Sequence, residues 1–427
     1  MITQPVNQIT GPPFTSRRFV VRILLFALLI LCHPLLCAQV NDETAETKAW
    51  REFTSQVEAA GVEILNTYPQ PEALDRAEGL RYLLQQLGSS LQQRLIDQPG
   101  QISLLRVGAT TINKWGLDGA DAKYLVATIS GSGSYRLYGQ LGSARLFAMQ
   151  LTRMSGTFAA YGALTGDQLK ADKAGNFEVL ISPHKPDDWQ GVWLELNPDT
   201  DNLLIREYFG DWANERPGSY YLEQLNSGAA DPPITTAQMA TLLKDTASTF
   251  LSRAPQWQGR VEQARKYLEN KVHMKKSGEQ GLAANVYGSG WFNVGRGEAL
   301  IIEMEAPDAL LWSVQLGNVW WESIDYINHT ASYNDYQAVV SSDGKYRFVL
   351  SHEDPGVPNW LDPAGHTEGA LMFRMQETRE IVNPQLKLIP VDKLAQHLPV
   401  DTTAVSREQR QHEISIRRQH AAIRWAP

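Results

Sequence analysis

Cysteine is almost absent. Of 427 residues only Cys32 and Cys37 carry a thiol, and both fall in one apolar stretch near the N-terminus. The rest of the chain can form no disulfide and offers neither a thiol nucleophile nor a thiolate metal ligand, in any redox compartment. Positive charge is also scarce. The formal net charge is −8, and it becomes −11 if the first 38 residues, with Arg17, Arg18 and Arg22, are removed. Nucleic acid is not an expected partner of so acidic a chain. Several catalytic signatures are missing too: no HExxH, no GxSxG, no Walker loop and no dinucleotide fingerprint.

What the chain has begins with "ILLFALLILCHPLLCA", Ile23 to Ala38, preceded by the three arginines and broken at Pro34. This is the layout of a secretory signal cut after Ala38, so a periplasmic or secreted location is expected. The rival reading is a retained membrane anchor. Sixteen helical residues span about 24 Å, short of a hydrocarbon core of roughly 30 Å. A membrane is a partner only if this segment stays. With no disulfides, stability rests on packing, for which 12 Trp and 15 Tyr are available.

Beyond the signal, Trp50, Phe53, Val57, Ala60 and Ile64 recur at helical spacing, as do Leu74, Ala77, Leu80, Leu84, Leu87, Leu91 and Leu95. Short runs rich in aliphatic and aromatic residues follow, bounded by Gly, Pro, Asn and Asp, and read as strands. A helical interlude starts at Thr235, where Thr235 and Gln238 have capping-box spacing. Strands then return, and the last residues are polar, expected to be helical with a frayed end. The order predicts a signal peptide over 1–38 and a helical segment over 39–100. A first β-sandwich unit spans 101–232, a helical connector 233–280, a second β-sandwich unit 281–392 and a polar tail 393–427.

The two strand blocks resemble each other. "YRLYGQLG" at 135–142 resembles "LLWSVQLG" at 310–317, and "GNFEVLIS" at 175–182 resembles "GKYRFVLS" at 344–351. The second match pairs Phe177 with Tyr346, Val179 with Phe348 and Ile181 with Leu350. "WL" at 193–194 matches "WL" at 360–361, and "LLIREYF" at 203–209 matches "LMFRMQE" at 371–377, aligning Arg206 with Arg374. Four anchors in one order predict an internal duplication. The fold class expected is mainly β with helical additions: two related jelly-roll-like sandwich units, each with about five strands, after an N-terminal helical segment.

The richest stretch is "SHEDPGVPNWLDPAGHTEGALMFRMQ", Ser351 to Gln376. Turn chemistry accounts for much of it. Asp354-Pro355-Gly356 fits a type II turn, and Asp362-Pro363-Ala364-Gly365 another turn. Alternation puts Arg374 on the strand face opposite Leu371, Phe373 and Met375. A guanidinium buried there needs a carboxylate, and Asp362 or Glu368 is the expected partner in a structural clamp, with ligand contact as the alternative.

"WWESIDY", "QLGNVW" and "HEDPGVPNWLDPAGHTEGALMFR" resemble the C-terminal signature of the bacterial domain-of-unknown-function family 1214. The resemblance covers roughly Gly281 to Gln376 well and the region from Trp50 more loosely. It implies a β-sandwich, jelly-roll-like architecture and no transferable activity. The helical N-terminus departs from it, standing where a separate companion domain often precedes such a region.

The residues of this surface admit three chemistries. Trp320, Trp321, Asn359, Trp360, His366 and Arg374 could line a site for a small or carbohydrate-like ligand, or for a partner. Asp354, Glu368 and Glu322 are the candidate carboxylates of a hydrolase, for which two such groups would stand roughly 5 to 10 Å apart. His352, Asp354 and His366 offer nitrogen and oxygen donors for a metal, although their spacing matches no known ligand motif. Ligand binding on the second unit is the expected role, with hydrolysis the alternative and no cofactor expected. Oligomeric state is not encoded in any of these features.

Overall fold

The structure, a computed structural model, describes residues 43–68, 70, 72–96, 103–225, 233–277 and 285–425. The expected signal segment 1–38, with both cysteines, lies outside them. No helix among the described residues is long and apolar enough to cross a membrane.

Two helices open the described chain. α1 (Ala45–Thr67) starts at Thr44, whose hydroxyl accepts the Thr47 N–H at 3.2 Å, and buries Phe53, Ala60 and Ile64. α2 (Ala73–Ile96) follows. Nine strands come next: β1 (Arg106–Ala109), β2 (Ala122–Thr128), β3 (Ser134–Gln140), β4 (Leu146–Arg153), β5 (Ala159–Thr165), β6 (Asn176–Ser182), β7 (Val192–Glu195), β8 (Asn202–Tyr208) and β9 (Ser219–Leu225). α3 (Thr236–Arg253) begins at the capping box that the sequence predicts, Gln238 Oε1 accepting the Thr235 N–H at 2.7 Å and Thr235 Oγ1 the Gln238 N–H at 3.2 Å. α4 (Gln258–Tyr267) leads into nine more strands. These are β10 (Lys271–Lys276), β11 (Val286–Asn293), β12 (Glu298–Met304), β13 (Ala309–Gly317), β14 (Ser332–Asn334), β15 (Tyr346–Ser351), β16 (Trp360–Leu361), β17 (Glu368–Thr378) and β18 (Gln385–Pro390). α5 (Arg407–Arg424) ends the described chain.

The protein is mainly β, with two sandwich-like units after a helical start. In the first, a sheet ordered β1-β2-β8-β4-β5 faces one ordered β7-β6-β3-β9; in the second, β10-β11-β17-β13-β14 faces β16-β15-β12-β18. Each strand has its counterpart nine strands later, and even the lone parallel pairs, β6–β7 and β15–β16, correspond. Alternation builds each core. Leu203 and Ile205 of β8 point between the sheets with Leu137, Met149, Leu151 and Val179, while Leu204 and Arg206 face away. Each fully buried Leu, Ile or Phe contributes about 1.5–3 kcal/mol to such a core.

Register confirms most of the expected equivalences. Leu180 and Ile181 sit opposite Trp193 and Leu194, as Val349 and Leu350 sit opposite Trp360 and Leu361. Arg206 is paired across β2 with Tyr124, and Arg374 across β11 with Tyr287. One equivalence fails. "YRLYGQLG" is β3 and "LLWSVQLG" is β13, whereas the counterpart of β3 is β12 and that of β13 is β4. The two runs share a closing Gln-Leu-Gly, 140–142 and 315–317, but not a place in the sheets. The strand count was also low, because short or glycine-bearing strands such as β1 and β5 carry little periodic signal.

The first sheet of the second unit turns its outer face to the helices. Trp291, Ala370 and Met372 pack there with Tyr82 of α2 and Phe250 of α3. Further along, the two units meet through Ala122, Leu146, Tyr208 and Leu311. The C-terminal tail does not behave as an exposed end: α5 lies across both units with Arg410, Arg417, His420 and Arg424 buried. Backbone carbonyls on the two units take their protons. Arg424 donates to Ala120 O and Arg417 to Ser332 O at 2.7 Å.

Candidate functional site

The residues singled out in the sequence are not gathered on one exposed face. Trp320 is 1% exposed, stacks on Tyr82 with ring centroids 5.2 Å apart, and donates Nε1–H to Asp75 O at 2.8 Å. Gly79 makes room for it, since a Cβ at that position would run into the indole. Trp321 is buried in the same helix-facing cluster, and Trp360, also buried, donates to Ser351 O at 2.9 Å. Asn359 takes a positive φ of 56° and spends its side chain on Val339 and Arg347 backbone groups. These aromatics are core, and no stacking surface is left for a sugar ring.

The charged candidates are likewise engaged. Asp354 caps its turn through Gly356 N–H and accepts Arg410 Nε at 3.0 Å. Glu368 pairs with Arg265 and accepts Trp291 Nε1–H at 2.9 Å. The clamp expected of Arg374 has different partners. It donates to Gln315 Oε1 at 2.8 Å and to Leu117 O, while Asp362 pairs instead with His329 at 2.7 Å. Neutral oxygens suffice because the amide and the carbonyl converge on the guanidinium from both sides. His352 meets Val294 O at 2.9 Å and shares no partner with His366, which is held by Asp75 and Glu78. Among the described residues no three His, Cys, Asp or Glu side chains could hold a metal ion.

His366 lies between two carboxylates of α2, Nδ1 3.2 Å from Asp75 Oδ1 and Nε2 3.3 Å from Glu78 Oε2. Burial opposes its charge, but hydrogen bonds to both carboxylates win and raise its pKa to about 9. Glu78 responds inversely: against its own burial, His366, Arg81 and Asn318 hold it down to about 2. Close by, Glu322 is 1% exposed and neither carboxylate oxygen has a hydrogen-bond partner among the described residues. Burial lifts it to about 7, moderated by Lys114 and Arg81.

A cleft with convergent polar groups lies elsewhere, at one end of the first sandwich. It is a cavity of about 410 Å³, lined by Leu141, Leu146, Phe147, Glu207 and Tyr220 and closed from the second unit by Leu310. Strand register makes Lys123, Glu207 and Phe147 one row across β2, β8 and β4, on the face between the sheets. Glu207 is 1% exposed. Its Oε1 accepts two bonds, from Tyr220 O–H at 2.6 Å and Gly218 N–H at 2.8 Å, whereas Oε2 has no partner among the described residues. Burial raises its pKa despite those bonds and the charge of Lys123. Arg145 on the rim is neutralised by Asp335 of the second unit at 2.5 Å.

The second unit supplies an internal control. The row equivalent to Lys123, Glu207 and Phe147 is Val286, Met375 and Trp312, all buried in an apolar core. The fold therefore has no structural need for a carboxyl at this point. The signal was present in the sequence, because aligning Arg206 with Arg374 also sets Glu207 against Met375. An ionisable residue at a core-facing position, apolar in the other copy, is what that alignment exposes.

Residues 297–380 match a family described as "Protein of unknown function (DUF1214)". No match is found among curated proteins. Among solved structures, an uncharacterized protein from Burkholderia cenocepacia is similar at 25% identity with a TM-score of 0.74, over 81% of this chain and 97% of that one. The VPA0106 protein from Vibrio parahaemolyticus aligns at 10% identity with a TM-score of 0.40, over 72% of this chain and all of that one. Of the residues named here as lining the cavity, only Leu310 falls in the family-matched segment.

Proposed function

We propose that this is an exported protein that binds a small, mostly apolar molecule carrying an oxygen acceptor, in the cavity at the end of the first sandwich. The observation that carries the reading is the orphaned Oε2 of Glu207 in the lining of a 410 Å³ cleft. Both bonds from Tyr220 and Gly218 end on Oε1, so a neutral carboxyl keeps its proton on Oε2. Burial favours that protonated form, in which Oε2 offers a donor on a residue that lines the cleft with Leu141, Leu146, Phe147 and Leu310. A ketone, ether or hydroxyl oxygen satisfies it, and such a group on an apolar body fits walls of this kind. Export rests on the arginine-led apolar stretch 17–38.

Glu207→Met tests the reading with the residue that Met375 shows to be compatible with the fold. Wild type and variant are recovered from their native compartment, and small molecules released on denaturation are compared by mass spectrometry. A compound carried by the wild type and lost from a folded Glu207→Met is the expected result. Identical profiles would sink the proposal.

A hydrolytic reading uses the same carboxyl as a general acid, with Asp167 on the same wall as the second carboxylate. It differs by its outcome: a compound carried by wild type would be converted on incubation, and Glu207→Gln would stop the conversion.

A further inference from the structure

The contact between the two units joins counterparts. Leu146, opposite Tyr208 in the first unit, and Leu311, opposite Gln376 in the second, hold the same place in their sheets, and both lie in one buried cluster. Two residues back from Tyr208 and Gln376 come Arg206 and Arg374. Duplication thus brings two guanidiniums to one junction, on the face of β8 opposite to Glu207. Donors outnumber acceptors there. Arg206 donates Nη2–H to Gln150 Oε1 at 3.0 Å, and Arg374 donates its terminal N–H groups to Gln315 Oε1 and Leu117 O. All three acceptors are neutral. Tyr124, beside Arg206 across β2, accepts Gly119 N–H at 3.1 Å. Gly119 also marks how near the second unit comes: a Cβ there would stand 2.9 Å from the Tyr124 hydroxyl and 3.8 Å from Arg374 Nε. Among the described residues neither Arg374 Nε nor the Tyr208 hydroxyl has an acceptor. Burial raises the pKa of Tyr124 and of Tyr208, which keeps both hydroxyls protonated as donors. Charge is out of balance too. Arg374 and Arg206 both act on Tyr124 and on Tyr208. The carboxylate that acts on Tyr124, Asp118, is committed to Ser323 Oγ at 2.9 Å, and Arg424, also in range, is offset by Asp121.

We propose that this junction binds a small oxyanion, the carboxylate or phosphate group of a small molecule, through Arg374, Arg206 and the hydroxyls of Tyr124 and Tyr208. An oxyanion supplies both what the donors lack and the negative charge that two guanidiniums call for. Gln315 and Leu117 O fix the Arg374 guanidinium in advance, so its remaining edge is ordered before the anion arrives. Arg206 and Tyr124 are half-buried, and solvent reaches the cluster from their side. None of the four residues lines the Glu207 cleft, so either site can fail without the other.

Isothermal titration of the full chain with inorganic phosphate and, separately, with acetate tests this. The protein is first dialysed into chloride, and ionic strength is held constant so that screening does not change between points. Wild type is expected to saturate with at least one of the two ions. Phosphate alone identifies a phosphate group as the handle of the natural ligand, acetate alone a carboxylate, and both together show that the shared oxygens suffice. Arg206→Gln and Tyr208→Phe each keep the Arg374 anchor, and each is expected to weaken binding about tenfold. Glu207→Met, on the other face of β8, is expected to bind as wild type does. No saturable binding of either ion to wild type overturns the proposal. So does an affinity that Arg206→Gln or Tyr208→Phe leaves unchanged, or one that Glu207→Met abolishes, because the ion would then sit elsewhere.

Discussion

His366 is joined to Asp75, 291 residues earlier, with Nδ1 3.2 Å from Oδ1. Together with Glu78 on the other ring nitrogen, this contact fastens the N-terminal helices to the loop that follows β16. All three side chains are buried or nearly so, and removing the imidazole would leave two carboxylates facing each other out of water.

The stability of this fastening depends on pH in a definite sense. His366 has a folded pKa raised to about 9, above its unfolded value, so its contribution is complete below about pH 6.5 and disappears as pH rises through 9. Glu78 is depressed to about 2, so its contribution is present above about pH 4.5 and disappears as pH falls through 2. His366→Gln is expected to lose about 3 kcal/mol at about pH 6, and much less at about pH 10. Urea unfolding at both pH values checks this; an equal deficit at both would rule out the charged imidazole.

Glu322 makes the opposite contribution. Its carboxyl is raised to about 7, so between about pH 4.5 and 7 the folded chain holds a proton that the unfolded chain has released. Stability therefore falls as pH rises across that window. Glu322→Gln keeps the shape and removes the charge. It is expected to be more stable than wild type by about 3 kcal/mol at about pH 8 and nearly equal at about pH 4. Thermal midpoints across that range measure it, and a variant less stable at both ends would mean that Glu322 is paired in solution.

Legibility in the sequence followed the physics of each signal. The repeat was readable where side chains are demanded by both copies, as with Trp193 and Trp360, or Arg206 and Arg374, whose bonds to Gln150 and Gln315 are also equivalent. It fails at β3 and β13, where a shared Gln-Leu-Gly at the strand end carries no information about position in the sheet. Periodicity finds α2 but not its buried face, because leucine spacing carries no information about His366, Trp320 and Ala254 waiting on the polar side. The loop 351–376 drew attention as a concentration of polar groups, and the structure uses those groups to hold turns, α2 and α5 in place. Glu207 was overlooked because its strand reads as ordinary until the second copy is laid against it.

The C-terminal helix shows how far a polar sequence can hide a structural core. Arg417 is 1% exposed, its guanidinium lies 5.4 Å from the Trp212 ring and 5.3 Å from that of Tyr333, and its protons go to Tyr326 O, Ser332 O and Glu413. Arg418, the next residue, points outward and bonds Asn328 Oδ1 at 2.9 Å. Arg417→Ala opens a cavity between two aromatic rings and strands two buried carbonyls, which is expected to cost about 3 kcal/mol. Arg418→Ala is expected to stay within about 0.5 kcal/mol of wild type. Arg417→Met separates the two causes, since it refills the space and leaves the carbonyls unpaired. If packing dominates, methionine recovers most of the loss; if the hydrogen bonds dominate, it stays close to alanine. Chemical unfolding of the three variants reads the difference, and an Arg417→Ala as stable as Arg418→Ala would show that α5 is not held as the structure has it.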